Sequence, residues 1–205
     1  MTTFILVPGA GGAAWYWHRV VALLESAVAV DLPGPDPDAG LPEYADLVAR
    51  AAEGRDRIVL VAQSMGAFTA LQVCERLAPE RLVLLNAMIP APGETPGDWW
   101  DNTGWERPVG FSIETHFLHD VPTEVVAAGA GHAYEEADIA FEQPCEFARW
   151  PDVPTTVLAG RDDRFFPLAF QRRVARERLG LDVVELPGGH LAALSEPEAV
   201  VTALR

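Results

Sequence analysis

Ile58-Val59-Leu60-Val61-Ala62-Gln63-Ser64-Met65-Gly66 decides how this chain is read. Four consecutive apolar residues make a short unbroken run. Strands of this kind are buried on both faces, as in a parallel sheet covered by helices. The run passes through a pentapeptide directly into Met65–Leu77, a predicted helix. A strand-to-helix turn this abrupt strains its central residue and exposes that side chain. It also leaves no room for bulk two positions to either side, and Ala62 and Gly66 stand there. The Ser64 hydroxyl would then sit at a helix N-terminus, where backbone N–H groups face developing negative charge. An ordinary N-cap serine fits the same pentapeptide.

The same strand-then-helix unit recurs on both sides of this turn. Phe4–Val7, Ala27–Val30, Arg81–Leu85, Thr155–Ala159 and Asp182–Leu186 read as strands. Tyr16–Ser26, Tyr44–Glu53, Pro167–Leu179 and Glu196–Leu204 read as helices. Six strands with intervening helices predict an α/β fold, a doubly wound and mainly parallel sheet. The alternation stops after Asn86. Residues from about 87 to 151 carry proline, glycine, tryptophan and acidic clusters without a strand signal. They read as an insertion above the sheet, a lid, within a single domain spanning 1–205. In such sheets ligands bind at the carboxyl ends of the strands, so the chemistry belongs in the loops that follow them.

Three of those loops carry reactive groups. After the third strand comes Ser64. After the fifth comes Gly160-Arg161-Asp162-Asp163-Arg164-Phe165-Phe166-Pro167, and after the sixth Pro187-Gly188-Gly189-His190. Singly each is weak; together they make a set. A neutral hydroxyl needs a base within hydrogen-bond reach to act as a nucleophile. Histidine titrates near neutrality and suits that task. The imidazole in turn needs a carboxylate to fix its tautomer. Residue chemistry alone leaves Asp162 and Asp163 equivalent. The first strand is followed by Pro8-Gly9-Ala10-Gly11-Gly12, whose Ala10 or Gly11 N–H could pair with that of Met65 as an oxyanion hole.

Composition removes several alternatives. About half of the 205 residues are apolar and 22% are charged, a globular balance. The net charge of -15 disfavours nucleic acid and anionic membrane surfaces. All fifteen cationic residues are arginine, so Schiff-base, P-loop and Tyr-x-x-x-Lys chemistry are excluded. Two cysteines, Cys74 and Cys145, are too few for a disulfide framework. The N-terminal residues show no basic region ahead of an apolar one, and no apolar run nears the ~20 residues of a membrane span. The expectation is a soluble cytoplasmic protein.

On Val7-Pro8-Gly9-Ala10-Gly11-Gly12, Ala62-Gln63-Ser64-Met65-Gly66, the Gly160–Pro167 loop and Gly189-His190, the chain resembles the α/β-hydrolase superfamily over nearly its whole length. The resemblance implies a carboxylesterase-like serine hydrolase: Ser64 as nucleophile on a nucleophile elbow, His190 as base, and Ala10 and Met65 as oxyanion donors. It also selects Asp163 as the acid, the fourth residue of a Gly-x-x-Asp pattern. It implies two-step acyl transfer through an acyl-enzyme, with no metal and no organic cofactor. The chain departs from the pattern at Pro8, where the family often has histidine, and at Ala62, where it has glycine. The family's first two antiparallel strands have no counterpart here.

Trp99, Trp100 and Phe117 of the insertion, with Gly11, are candidate pocket residues. They would favour a small apolar or aromatic ester-like substrate. Aromatics of this kind equally serve as an insertion's own core. His116, His119 and Asp120 lack a further well-spaced partner for a metal. Two rival readings remain. Gly9, Gly11 and Ala14 satisfy a Gly-x-Gly-x-x-Gly/Ala fingerprint with Asp31 about twenty residues on, as in an NAD(P)-binding oxidoreductase. The other rival is a small-molecule binding protein on a hydrolase scaffold.

Overall fold

The computed structural model describes residues 1–205. Its centre is one sheet of β1 (Thr3–Val7), β2 (Ala27–Ala29), β3 (Ile58–Gln63), β4 (Arg81–Leu85), β5 (Thr155–Gly160) and β6 (Val183–Leu186). The order is β2-β1-β3-β4-β5-β6, and every neighbouring pair is parallel. Helices α1 (His18–Val21), α2 (Leu41–Ala51) and α3 (Gly66–Leu77) occupy the connections among the first four strands. Between β4 and β5 lie α4 (Pro96–Asn102), α5 (Ile113–His116), α6 (Thr123–Gly129) and α7 (Asp138–Glu142). Helix α8 (Leu168–Leu179) joins β5 to β6, and α9 (Ala192–Ser195) and α10 (Pro197–Leu204) follow β6.

Successive strand residues point to opposite faces, and both faces are apolar. Ile5, Val7, Leu60, Ala62, Leu82 and Leu84 pack on one side with Tyr44 and Val48 of α2, Phe68 and Leu71 of α3, and Val174 of α8. Leu6, Val59, Val61, Val83, Leu85 and Leu158 pack on the other with Trp17, Val20 of α1, and Val200 and Leu204 of α10. The unbroken apolar runs thus have a physical cause. A strand sandwiched between helix layers has no solvent face to mark with polar residues.

The chain leaves β1 toward β2, crosses back to β3, and then advances in the other direction to β6. The switch lies between β1 and β3, where such sheets open a crevice at their carboxyl ends. Val7 pairs with Ala62, so the loops after these two strands begin side by side.

Two helices differ from expectation. Tyr16–Ser26 is a single 3-10 turn over Ala14–Trp17 followed by the one-turn α1. Helical form ends at Val21, and by Ser26 the chain is already committed to the sheet, its carbonyl accepting the Phe4 N–H at 3.0 Å. Helix α2 starts at Leu41, three residues before the expected Tyr44. Pro42 is compatible with a first helical turn, and the Leu41 N–H is capped by Gln143 Oε1 at 2.7 Å from the far side of the β4–β5 segment. Such a long-range cap leaves no local trace.

The β4–β5 segment, containing no strand, is pinned near its start and again in its second half. The guanidinium of Arg178 on α8 engages both oxygens of the buried Glu94, one at 2.8 Å, and also donates to the Ile89 carbonyl at 2.6 Å. Removing one member of such a buried pair typically costs about 3–5 kcal/mol, because the other charge is left uncompensated. Farther along, Ala137 N–H donates to Gly34 O at 2.7 Å. No helix is long and apolar enough to cross a membrane.

Candidate active site

The backbone between β3 and α3 turns within two residues. Ser64 has φ +51°, a left-handed conformation that a non-glycine residue adopts at a cost of about 1–3 kcal/mol. The turn is held by its surroundings: Ser64 N–H donates to Leu85 O at 3.1 Å, and Ser64 O accepts from Met88 N–H at 3.0 Å. The small flanking residues are explained by contact. Ala62 is fully buried, and a Cβ on Gly66 would collide with the Pro8 carbonyl oxygen. The strand-to-helix turn therefore packs directly on the loop after β1.

Ser64 Oγ lies 3.1 Å from His190 Nε2, and His190 Nδ1 lies 2.8 Å from Asp163 Oδ2. All three residues are buried. The other Asp163 oxygen, Oδ1, accepts from the N–H groups of Phe165 and Phe166, each at 2.8 Å. Gln171 Nε2 adds a longer contact to Oδ2 at 3.3 Å. Asp162, one residue earlier, is exposed and accepts only a 3.3 Å bond from Gly188 N–H. Geometry thus separates the two acids that residue chemistry could not.

The His190 ring is confined. Phe117, Phe165 and Phe166 meet it edge-on, with centroids at 4.9, 5.2 and 5.0 Å. Its own carbonyl is held by two side chains absent from the sequence-based set. Asn86, fully buried just past β4 with φ +44°, donates from Nδ2 to the carbonyls of Gly189 and His190 at 2.9 and 3.1 Å. Its Oδ1 accepts Gly160 N–H at 2.7 Å, so one amide ties together the ends of β4, β5 and β6. Gln63 Nε2 also reaches His190 O, at 3.3 Å. Asn86 had a legible signal: it is the first residue after a strand, where the sheet architecture puts function.

The amides of Ala10 and Met65 donate to no protein acceptor, and both residues line the cavity above Ser64. Gly9 lies against Ser64 and Gln63 so closely that a Cβ there would overlap the Gln63 side chain. The nucleotide fingerprint finds a different use. The Gly-rich loop opens a 3-10 turn instead of a long helix, and Asp31 Oδ1 accepts Ala14 N–H at 2.8 Å, capping that turn.

The cavity has a volume of about 560 Å³ and contains Ser64 and His190 in its wall. No Asp, Glu or Arg side chain lines it. Of the four candidate pocket residues, Gly11, Trp100 and Phe117 line it and Trp99 does not. Trp99 is fully buried, with its Nε1–H donating to Ile89 O at 2.9 Å and its ring packed on Trp100, Phe166 and Phe170. It is core: the first turn of α4 directs it down onto the sheet layer. Trp15 and Tyr16, next to the Gly-rich loop, do line the cavity and were not among the candidates. His18 and His132 both stack on Trp15, at 4.4 and 5.4 Å. His119 and Asp120 pack against Gly189, whose N–H donates to Asp120 Oδ2 at 2.6 Å.

Comparison with known proteins gives a consistent picture. A probable esterase of rice, PIR7A, is 37% identical over 112 residues, covering 46% of this chain and 42% of the rice protein. The matched stretch is thus less than half of that relative. A pyrethroid hydrolase from Sphingobium faniae JZ-2 superposes with a TM-score of 0.81 at 23% identity, over 100% of this chain and 96% of the other. Polyneuridine aldehyde esterase superposes at 0.82 and 19%, over 100% and 98%. At these identities the superpositions establish a shared fold. The family model described as the alpha/beta hydrolase family matches residues 4–203. Since that match includes the β1 loop, the β3–α3 turn and both later loops, we conclude that the chain belongs to the alpha/beta hydrolase family.

Proposed function

We propose that the protein hydrolyses a neutral, apolar carboxylic ester by two-step acyl transfer on Ser64. The observation that carries this reading is the unbroken chain from Ser64 Oγ through His190 to Asp163, opening onto a cavity without charged side chains. Esterase-named relatives support it.

In the first step Ser64 Oγ attacks the ester carbonyl carbon while His190 Nε2 accepts the hydroxyl proton. Asp163 holds the Nδ1 proton and stabilises the imidazolium. The carbonyl oxygen becomes an oxyanion held by the Ala10 and Met65 N–H groups, donors set in place before the charge develops. The tetrahedral adduct collapses, His190 returns its proton to the departing alkoxide, and the alcohol leaves an acyl-Ser64. Water then attacks the acyl carbon with His190 again as base, releasing the acid and restoring the serine. The segment 87–151 acts as the lid that shapes the pocket and, through Phe117, shields the histidine from bulk water.

The test is a p-nitrophenyl ester series of rising acyl length, run beside fluorophosphonate labelling. A fluorophosphonate should label Ser64 stoichiometrically. Each methylene buried in the cavity contributes about 0.8 kcal/mol, so kcat/KM should climb roughly fourfold per methylene until the cavity is full. Esters bearing a carboxylate on the acyl chain should be poor substrates. An unlabelled Ser64, or a profile flat in chain length, would overturn the reading.

A further inference from the structure

The β4–β5 segment reaches the loop after β1 through one half-buried carboxylate. Glu136 Oε2 accepts the Gly11 N–H at 2.6 Å, and its Oε1 accepts the Tyr44 hydroxyl of α2 at 2.5 Å. Around it the backbones are in contact. A Cβ on Gly11 would lie 2.5 Å from the Tyr134 carbonyl oxygen, and one on Gly34 would lie 2.6 Å from Gly11 and 2.9 Å from Glu136 Oε2. Of the loop's amides, Gly12 N–H bonds Gly9 O at 3.1 Å and Gly11 N–H bonds Glu136, while Ala10 N–H has no protein partner.

We infer that Glu136 is a positioning residue that steadies the oxyanion donor of Ala10 by anchoring, through the Gly11 N–H, the Gly9–Gly12 turn from which that donor projects. The inference rests on the hydrolase reading above. The Gly9 O to Gly12 N–H bond closes a four-residue turn with Ala10 and Gly11 at its centre. The Gly11 φ of +85° is the value a type II turn asks of its third residue. Types I and II differ by a flip of the central peptide, and a glycine at this position opposes neither form strongly. The flip leaves the Gly9–Ala10 peptide, which carries the Ala10 N–H, in place; an external acceptor on the Gly11 N–H fixes the type II turn, whose closing Gly9–Gly12 bond is held. Because a trans peptide points its C=O and N–H in opposite directions, engaging Gly9 O within the turn leaves Ala10 N–H directed away from it.

Burial pushes the Glu136 carboxyl pKa up, against the opposing pull of the Tyr44 hydroxyl and the Gly11 amide. Both carboxyl oxygens are used as acceptors, one for Gly11 and one for Tyr44. A simple packing role would require the side chain's volume but not its acceptor oxygen.

The test compares Glu136→Gln, which keeps the acceptor and removes the charge, with Glu136→Leu, which keeps the bulk and removes the acceptor. Losing one oxyanion donor outright costs roughly 10²–10³ in kcat, so a misaimed donor in Glu136→Leu should lower kcat about 10–10²-fold. KM should stay within about twofold, since the ground-state ester does not need the donor. Affinity for a trifluoromethyl ketone, which forms a tetrahedral adduct, should fall with kcat, while affinity for the matching non-reactive amide should hold. Glu136→Gln should keep wild-type kcat within about threefold. Tyr44→Phe, which removes only the second hydrogen bond, provides a milder variant should Glu136→Leu fail to fold, and should lower kcat severalfold with KM unchanged. Equal losses in the Gln and Leu variants would overturn the inference, as would unchanged kcat in both Glu136→Leu and Tyr44→Phe. Fluorophosphonate labelling of the wild type separates the two failures. A labelled Ser64 with unaffected Glu136 variants sinks only the role of Glu136, and an inert Ser64 sinks the hydrolase reading itself.

Discussion

Ser64→Ala is expected to lower kcat/KM for the best ester by about 10⁴-fold or more, the size of loss seen when a nucleophile is removed from a serine-histidine-acid set. The expectation follows from geometry. Ser64 Oγ is the side-chain oxygen placed 3.1 Å from His190 Nε2, and alanine leaves the ring with nothing to deprotonate but water. His190→Ala should cost a similar factor. The double variant should be little worse than either single one, because the groups act as a unit. Steady-state rates on a p-nitrophenyl ester, with thermal melts to show that each variant folds, supply the check. A Ser64→Ala enzyme keeping more than a few per cent of wild-type turnover would mean that the serine is not the nucleophile.

Asp163→Asn is expected to cost about 10²–10⁴-fold in kcat, whereas Asp162→Asn should change it by less than about threefold. The reason lies in which oxygen does what. Asp163 Oδ1 accepts two backbone N–H groups, from Phe165 and Phe166. An asparagine must therefore put its carbonyl oxygen there and its NH₂ at the other position, facing His190 Nδ1. Two donors cannot share that bond, so the imidazole adopts the tautomer with its proton on Nε2. In that form it cannot accept the proton of Ser64. The exposed Asp162 side chain accepts only the Gly188 N–H, at 3.3 Å. Parallel kcat measurements on the two variants decide between the acids, and equal losses would count against Asp163.

Much of this was legible in residue order because parallel sheets leave two strong local signatures. Inner strands buried on both faces carry unbroken apolar runs, and all six strands were found with small errors at their ends, although the edge strand β6 exposes Val184 and Glu185. The β3–α3 turn forces small residues on both sides of Ser64, which made it the clearest of the functional loops. What failed to show depended on contacts across the chain. Asp162 and Asp163 are chemically identical, and only the path of the loop around Phe165 and Phe166 separates them. Trp99 and Trp100 are neighbours in sequence, yet one is core and the other lines the cavity, because adjacent helical positions point about 100° apart. Gln143 capping α2 and Glu136 holding Gly11 join residues roughly a hundred positions apart, and no local pattern announces either.

The charge-free wall of the cavity bears on how the proposed reaction would end. Hydrolysis turns a neutral ester into an alcohol and an acid that ionises at neutral pH. An apolar enclosure stabilises the first and penalises the second, and a protein of net charge -15 adds a field that drives the anion outward. The carboxylate should therefore depart readily while the alcohol lingers, so that added alcohol inhibits turnover far more strongly than added acid. Expulsion of the ionised product would also discourage re-esterification on the enzyme, giving the cycle a direction through solvation alone.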